Sequence, residues 1–274
     1  MGEPVKGFGI RLKRNLVATG LLAIIAILVY ASLSATLVHE NFVTGWLLTG
    51  AIALLAAYNL RRNLPFLPLG SSSDWLQLHV YLGLLGVVLF LLHVGMEVPN
   101  GPMELGLAAI YGLVAGSGVI GLIMARSVPE RLSRRGEEVL YDRIPKFRRQ
   151  LMDRAEALAL RAVEETGSTT IADYYTDRLR PFFDGPRNYL GHVLEISRSR
   201  HHLLDEMRDL ERYLNDNETA ILREIADLTR AKDDLDYHYA LQSMMKRWQF
   251  VHVPLSFALI IFVLLHMVIV YAFA

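Results

Sequence analysis

Five apolar runs, at roughly 15–38, 43–60, 75–96, 104–125 and 250–274, govern what this 274-residue chain can fold into, because nearly all of its charge lies between them. Each run approaches the ~20 residues a helix needs to cross the ~30 Å hydrocarbon core of a bilayer. The expected fold class is an all-α integral membrane protein with five transmembrane helices. A charged fraction of only 20% and a mean hydropathy of +0.29 agree with that class, and the net charge of zero conceals the segregation.

The cations set the orientation. Lys6, Arg11, Lys13 and Arg14 precede the first run, Arg61 and Arg62 follow the second, and 22 of the 28 Lys and Arg residues lie within 126–247. The turns at 39–42 and 97–103 and the C-terminal tail contain none. All 28 therefore fall on one face, taken as cytoplasmic, which puts the N-terminus inside and the C-terminus outside a cell (inner) membrane. The first run is long and ends without a clear small-residue cleavage site, which argues against a cleaved signal peptide. The absence of cysteine excludes disulfides, thiolate-bound iron–sulfur clusters, covalently attached haem and a catalytic thiol. Any redox chemistry must use a non-covalent cofactor.

Three segments follow: 1–125 with four membrane helices, a polar cytoplasmic helical domain at 126–249, and the fifth helix at 250–274. Within the polar segment Leu140, Ile144, Phe147, Leu151 and Leu158 recur at three- and four-residue steps. So do Leu203, Met207, Leu210, Leu214, Ile221 and Leu228. Two long amphipathic helices are expected, the second continuing through 235–247 into the last membrane helix. GSTT at 167–170 and RPFFDGPRN at 180–188 mark turns around shorter elements. No dinucleotide fingerprint, Walker loop or strand-rich stretch is present, so no flavin, nicotinamide or nucleotide site is expected, and nucleic acid is not an expected partner. His192, His201, His202 and His238 read as surface residues of this domain.

Ionisable residues inside a span are functional candidates by default. The third run carries His79 and His93, and the fifth carries His252 and His266, each pair fourteen residues apart. Fourteen helical steps return to within roughly 40° of the start and advance about 21 Å, so each helix presents two imidazoles on one face. Both helices run from inside to outside under the charge-derived topology. His79 then faces His252 near the cytoplasmic leaflet and His93 faces His266 near the outer one. Two stacked bis-imidazole sites are the arrangement that holds two b-type haems. Zinc fits less well, since its structural sites want four clustered ligands, and a proton relay of histidines stays open although it would not require matched pairs.

Other residues complete this expectation. Gly83, Gly86, Gly106, Gly112, Gly116, Gly118 and Gly121 leave room for a flat macrocycle, although small residues also serve ordinary helix packing. Lys246, Arg247, Arg61, Arg62 and Arg126 are candidate partners for inner propionates. Asn41, Asn100 and Trp46 are candidates outside, where no cation is available. Proton-handling groups for a membrane quinone would be His39, Glu40, Glu97 and Glu104 outside, or Lys246, Asp74 and His238 inside.

The twin fourteen-residue histidine pairs on two parallel helices resemble the haem-binding four-helix bundle of membrane-integral di-haem cytochromes b, such as the cytochrome b of bc complexes. Helices two to five here stand in that family's first four places. Five helices with both haems between only two of them also resemble the gamma subunit of respiratory nitrate reductase. The resemblance covers about 120 residues of helix and rests on the histidines. It implies that His79, His93, His252 and His266 are axial ligands to haem iron. Three features depart from it: the P-E-W-Y quinol-oxidation motif is absent, Gly106 and Gly121 are fifteen rather than fourteen apart, and the insert at 126–249 has no counterpart.

The expected function is transmembrane electron transfer, as a cytochrome b subunit of a respiratory complex exchanging electrons between membrane quinone and a redox partner, a multihaem cytochrome c or an iron–sulfur protein. Two other classes stay open. One is the haem-ladder subunit of a transmembrane ferric or oxygen reductase fed by a separate flavoprotein. The other is a haem-free signalling or scaffold protein.

Overall fold

The computed structural model describes residues 5–34, 40–63, 71–135, 139–196 and 198–273. Every regular element among them is helical: α1 (Val5–Ser34), α2 (Glu40–Asn63), α3 (Ser72–Val94), α4 (Pro102–Ser133), α5 (Ile144–Thr166), α6 (Thr170–Tyr174), α7 (Arg180–Asp184), α8 (Tyr189–Val193), α9 (Arg198–Leu210) and α10 (Asp216–Phe273). They form two compact units, Met1–Leu122 with Gln249–Ala274, and Ile123–Trp248.

In the first, apolar unit, four helices are long and apolar enough to cross a membrane: α2, α3, α4 and α10. The apolar stretch described in α1, Val17–Ser32, is shorter. Only 6% of the apolar window of α10 is buried, and side chains such as Ile261 and Val268 point outward. A surface of this kind suits lipid rather than water. The α3 helix starts where the Ser71 hydroxyl accepts the Asp74 N–H at 3.1 Å and stops where Gly95 turns left-handed at φ 70°, a polar cap at one end and an αL residue at the other.

The core of the apolar unit comes from four helices: Leu48, Ala51 and Ile52 on α2, Leu89 on α3, Tyr111 on α4 and Leu259 on α10. Phe90 and Tyr111 stack within it, ring centroids 4.3 Å apart. Among the described residues of α1, Ala26 reaches this cluster.

The second unit corrects the expected apolar stripes. On α5 the buried face is Ala155, Ala159 and Ala162, edged by Leu151 and Leu158. Ile144 is fully buried, but Leu140 and Phe147 are exposed. Leu140 precedes the helix, and Phe147 lies about 60° of helical rotation from the line of Ile144, a consequence of 100° per residue. The second stripe is interrupted: α9 ends in a 3₁₀ turn at Glu211–Tyr213 before α10 begins. The cause is a capping box, in which Asn215 Oδ1 accepts the Glu218 N–H at 2.9 Å and Glu218 Oε2 accepts the Asn215 N–H at 3.0 Å. From that cap α10 runs through all 58 residues.

His192 and His238, expected at the surface, are buried, at 7% and 2% exposure. They belong to a polar core. Lys232 is fully enclosed: its Nζ donates to Asp236 Oδ2 at 2.5 Å and to the Gly185 carbonyl at 2.8 Å, and sits 3.9 Å above the Phe182 ring centre. The Arg187 N–H donates to Asp236 at 3.0 Å. The His192 ring lies 3.7 Å from the Asp233 carboxylate, and His238 Nε2 donates to the Arg135 carbonyl at 3.0 Å. His202 is exposed beside Glu206, and the His201 side chain lies outside the described residues.

Burial pushes the Lys232 ammonium down and the Asp236 carboxyl up, against their mutual attraction. Removing one partner strands the other without compensation. Lys232→Met is expected to destabilise the second unit by about 3–5 kcal/mol, whereas Lys232→Met/Asp236→Leu recovers most of that loss; thermal unfolding followed by circular dichroism reads both. The cap carries a pH signature. The Asn215 backbone N–H holds the Glu218 carboxyl below the usual range, so its stabilisation is present above the unfolded-state value of about 4.3 and is lost as pH falls through the lower folded value. Glu218→Gln is therefore expected to unfold more easily at neutral pH, and its deficit against the parent chain to close in acid. A deficit that is independent of pH would contradict this.

Candidate functional site

The four histidines of the apolar helices meet in two pairs. The ring centroids of His79 and His252 are 6.4 Å apart with planes at 78°, and those of His93 and His266 are 6.4 Å apart at 86°. One ring of each pair comes from α3 and the other from α10.

Neighbouring helices hold the rings through Nδ1. His79 Nδ1 lies 3.2 Å from the Leu55 carbonyl and His93 Nδ1 lies 3.0 Å from the Asn41 carbonyl, both on α2. A carbonyl only accepts, so Nδ1 carries the proton in both rings and Nε2 keeps its lone pair. Thr44 Oγ1, 3.4 Å from His93 Nδ1, adds a second polar neighbour. On the opposite side His252 Nδ1 lies 2.7 Å from Ser117 Oγ. The Ser117 hydroxyl donates to the Val114 carbonyl at 2.8 Å, leaving its lone pairs for a donor, so His252 takes the same tautomer. An imidazole whose Nδ1–H is held in this way presents Nε2 to a metal, the usual arrangement of a metal-ligating histidine.

The separation suits a metal between the rings. Metal–nitrogen bonds of about 2 Å, with each ring centre about 1 Å behind its nitrogen, put two trans imidazoles about 6 Å apart. Among the described residues no group of three or more His, Cys, Asp or Glu side chains could hold an ion. Each pair offers two imidazole donors, a set that would fit haem iron, whose macrocycle brings four nitrogens of its own.

The surroundings leave space at one pair. A cavity of about 960 Å³ opens on His93 and His266, bounded inward by Ile52, Tyr111 and Leu259 and outward by Glu97, Asn100 and Glu104. Asn41 and Trp46 also line it, so the structure gathers the outer polar candidates at one site. Trp46 Nε1 donates to the Tyr271 hydroxyl at 3.2 Å across its wall. His39 and the Glu40 side chain lie outside the described residues. The candidates expected on the inner face are not gathered in this way: Asp74 bonds Ser71 at the start of its own helix, Lys246 lies over the Tyr141 ring and 3.3 Å from Asp142, and His238 is bonded to Arg135. Arg247 stacks on Tyr189, Arg126 is exposed, and the Arg61 and Arg62 side chains are outside the described residues.

Of the glycines singled out in the sequence, Gly86 faces the Tyr111 hydroxyl, which would stand 3.1 Å from an added Cβ, and Gly118 lies against His252; Gly106, Gly112 and Gly116 have open space beside them. The tightest approach to a histidine ring is at a glycine that the sequence reading passed over. A Cβ on Gly45 would lie 3.0 Å from His93 Cε1. Ser117, Thr44 and Tyr58, whose ring is 5.1 Å from that of His79, were also missed. Hydroxyls inside apolar runs were the available signal.

Comparison of the chain with protein-family models, with curated proteins and with solved structures finds no match.

The tautomer of His252 is directly testable. In ¹⁵N spectra of histidine-labelled protein without added cofactor, His252 is expected as the Nδ1–H form, and Ser117→Ala is expected to shift its signals toward a tautomer mixture while leaving those of His79 unchanged. Unaltered His252 signals would contradict the bond.

Proposed function

We propose that this chain is a membrane-integral di-haem electron carrier, with His79 and His252 as axial ligands of one b-type haem and His93 and His266 as those of a second. The observation that carries this reading is the equality of the two ring separations, 6.4 Å at each pair, on helices whose histidines share a fourteen-residue spacing. In this reading α1 is a fifth membrane helix, and the N-terminus and the 126–249 domain face the cytoplasm with the C-terminus outside.

When bound, haem iron supplies one-electron chemistry, with a potential set by its axial ligands, their hydrogen bonds and burial. The residues of this chain do the rest. The Leu55 and Asn41 carbonyls and Ser117 Oγ fix three ring orientations. The Leu48, Ile52, Leu89 and Leu259 side chains supply the buried apolar core of this unit. Asn41, Asn100 and Trp46, on the wall of the cavity at His93, offer hydrogen bonds to propionates where no Lys or Arg is nearby in sequence. Glu97 and Glu104 line the same cavity and would accept protons from a quinol at its mouth. The proposed role is the cytochrome b subunit of a respiratory assembly that exchanges electrons between membrane quinone and a redox partner, a multihaem cytochrome c or an iron–sulfur protein.

A dithionite-reduced minus oxidised spectrum with a pyridine haemochrome count tests the reading. Two b-type haems per chain are expected, with His79→Ala and His266→Ala each losing a different one. A colourless purified protein would overturn it and favour a haem-free scaffold. Retention of both haems in either variant would overturn the ligand assignment.

A further inference from the structure

One apolar surface of the polar unit has no role in electron transfer. Leu190, Leu194 and Ile196 are 69%, 65% and 52% exposed, and Leu140 is 61% exposed. They sit on two short segments that pack beside the end of α10 leading into its apolar stretch. The 189–196 segment is fastened by Arg131, whose guanidinium donates to the His192 and Val193 carbonyls at 2.9 Å each and pairs with Glu195 at 2.8 Å. It is bracketed by left-handed residues, Asn188 and Glu195, and its Tyr189 ring lies 4.6 Å under the Arg247 guanidinium. The 139–142 segment is fastened by Gln242, which donates to the Val139 carbonyl at 2.8 Å, and by Tyr141, which stacks on Tyr239 and lies under Lys246.

Both segments are thus held firmly with their leucines turned out. The backbone that could fold those side chains inward is committed elsewhere. Exposing large aliphatic groups from a fixed loop costs free energy in water, roughly 25 cal/mol per Å², unless something apolar covers them. Their anchor points name the cover. Arg247 and Lys246 are the last cations on α10, and the apolar residues Phe250 and Val251 follow within one turn, so these side chains occupy the level where a helix passes from headgroups to hydrocarbon. Beyond Leu140 the exposed Arg143 and Lys146 outnumber the exposed Asp142, which lies 3.3 Å from Lys246. Aliphatic groups, an amphipathic tyrosine and cations together are the composition of a segment that lies in the membrane interface.

We propose that the 189–196 segment, with Leu140, is an interfacial membrane anchor whose leucines enter the headgroup region while Lys246, Arg247, Arg143 and Lys146 receive anionic lipid headgroups. Charge complementarity and continuity with the apolar stretch of α10 select the bilayer as occupant. The proposal rests on the membrane insertion of α10 and not on haem.

The chain has no cysteine, so single labels are clean. Full-length Leu190→Cys, Leu194→Cys, Tyr213→Cys and Ile261→Cys proteins would carry a fluorophore in nanodiscs of phosphatidylcholine, alone or mixed equally with phosphatidylglycerol, containing lipids spin-labelled at the headgroup or deep in the acyl chain. Labels at 190 and 194 are expected to be quenched by headgroup spin labels, more strongly with phosphatidylglycerol, and Lys246→Gln/Arg247→Gln is expected to abolish that increase. The label at 213, on a residue 83% exposed, is expected to answer only to aqueous iodide, and the one at 261 to the deep spin label. Labels at 190 and 194 that behave like 213 would overturn the anchor, as would protection from iodide without lipid quenching, which would mean a protein occupant. Quenching that is indifferent to phosphatidylglycerol would overturn the headgroup sites. Loss of the deep signal at 261 would instead overturn membrane insertion, which keeps the two failures distinct.

Discussion

A ring nitrogen placed among apolar helices has to find its hydrogen-bond partner within the protein, and this requirement organises the apolar unit. Leaving a buried N–H unpaired costs about 1–3 kcal/mol, more in hydrocarbon, where no water can substitute. Contacts between leucine-rich helices cannot impose a single rotation, because lipid is as apolar as the side chains themselves. The Nδ1 bonds can. Those of His79 and His93 tie α3 to α2 at Leu55 and Asn41, and that of His252 ties α10 to α4 at Ser117. With each ring-bearing helix tied to its own supporting helix, the imidazoles of α3 and α10 meet at two levels, ring centroids 6.4 Å apart at each.

Small residues then decide how closely the supports approach. Gly45 brings α2 against the edge of the His93 ring, and Gly86 lets the Tyr111 hydroxyl rest on α3 midway between the two histidines of that helix. An alanine at Gly45 would push on the imidazole itself. The glycines with open space beside them, Gly106, Gly112 and Gly116, do not constrain the rings. A glycine matters here according to what lies over it, and its count within a helix says little.

The meeting of the four rings was legible in the sequence because it depends only on helical period and on two helices running parallel. Their Nδ1 partners were not, since a backbone carbonyl at Leu55 or Asn41 has no sequence signature. Ser117 has one, but it sits among small residues where a hydroxyl reads as packing. The polar unit was harder for a related reason. Lys232 and Asp236 stand four apart on α10, the spacing of an ordinary solvated pair on a helix surface, and only the tertiary arrangement shows that Phe182 and the Gly185 carbonyl enclose them. His192 and His238 were misread with them, because the local sequence does not say which face of a highly charged helix is covered. On α5 the buried face is alanine, which a periodicity of large apolar residues such as Leu140 and Phe147 does not reveal.

In the proposed reading the two pairs are unequal, and the inequality comes from polar groups rather than from the ligands. The His93/His266 cavity carries Glu97 and Glu104 and, among the described residues, no Lys or Arg on its walls. The His79/His252 pair has the Ser117 hydroxyl and the Tyr58 ring as neighbours. Carboxylates near an iron stabilise the more positive, oxidised state, by an amount that grows as the local dielectric falls. A cavity open to solvent weakens that effect without reversing its sign. Were a haem held at His93 and His266, Glu97 on the loop between α3 and α4 and Glu104 on the first turn of α4 would therefore lower its potential relative to the same site without them.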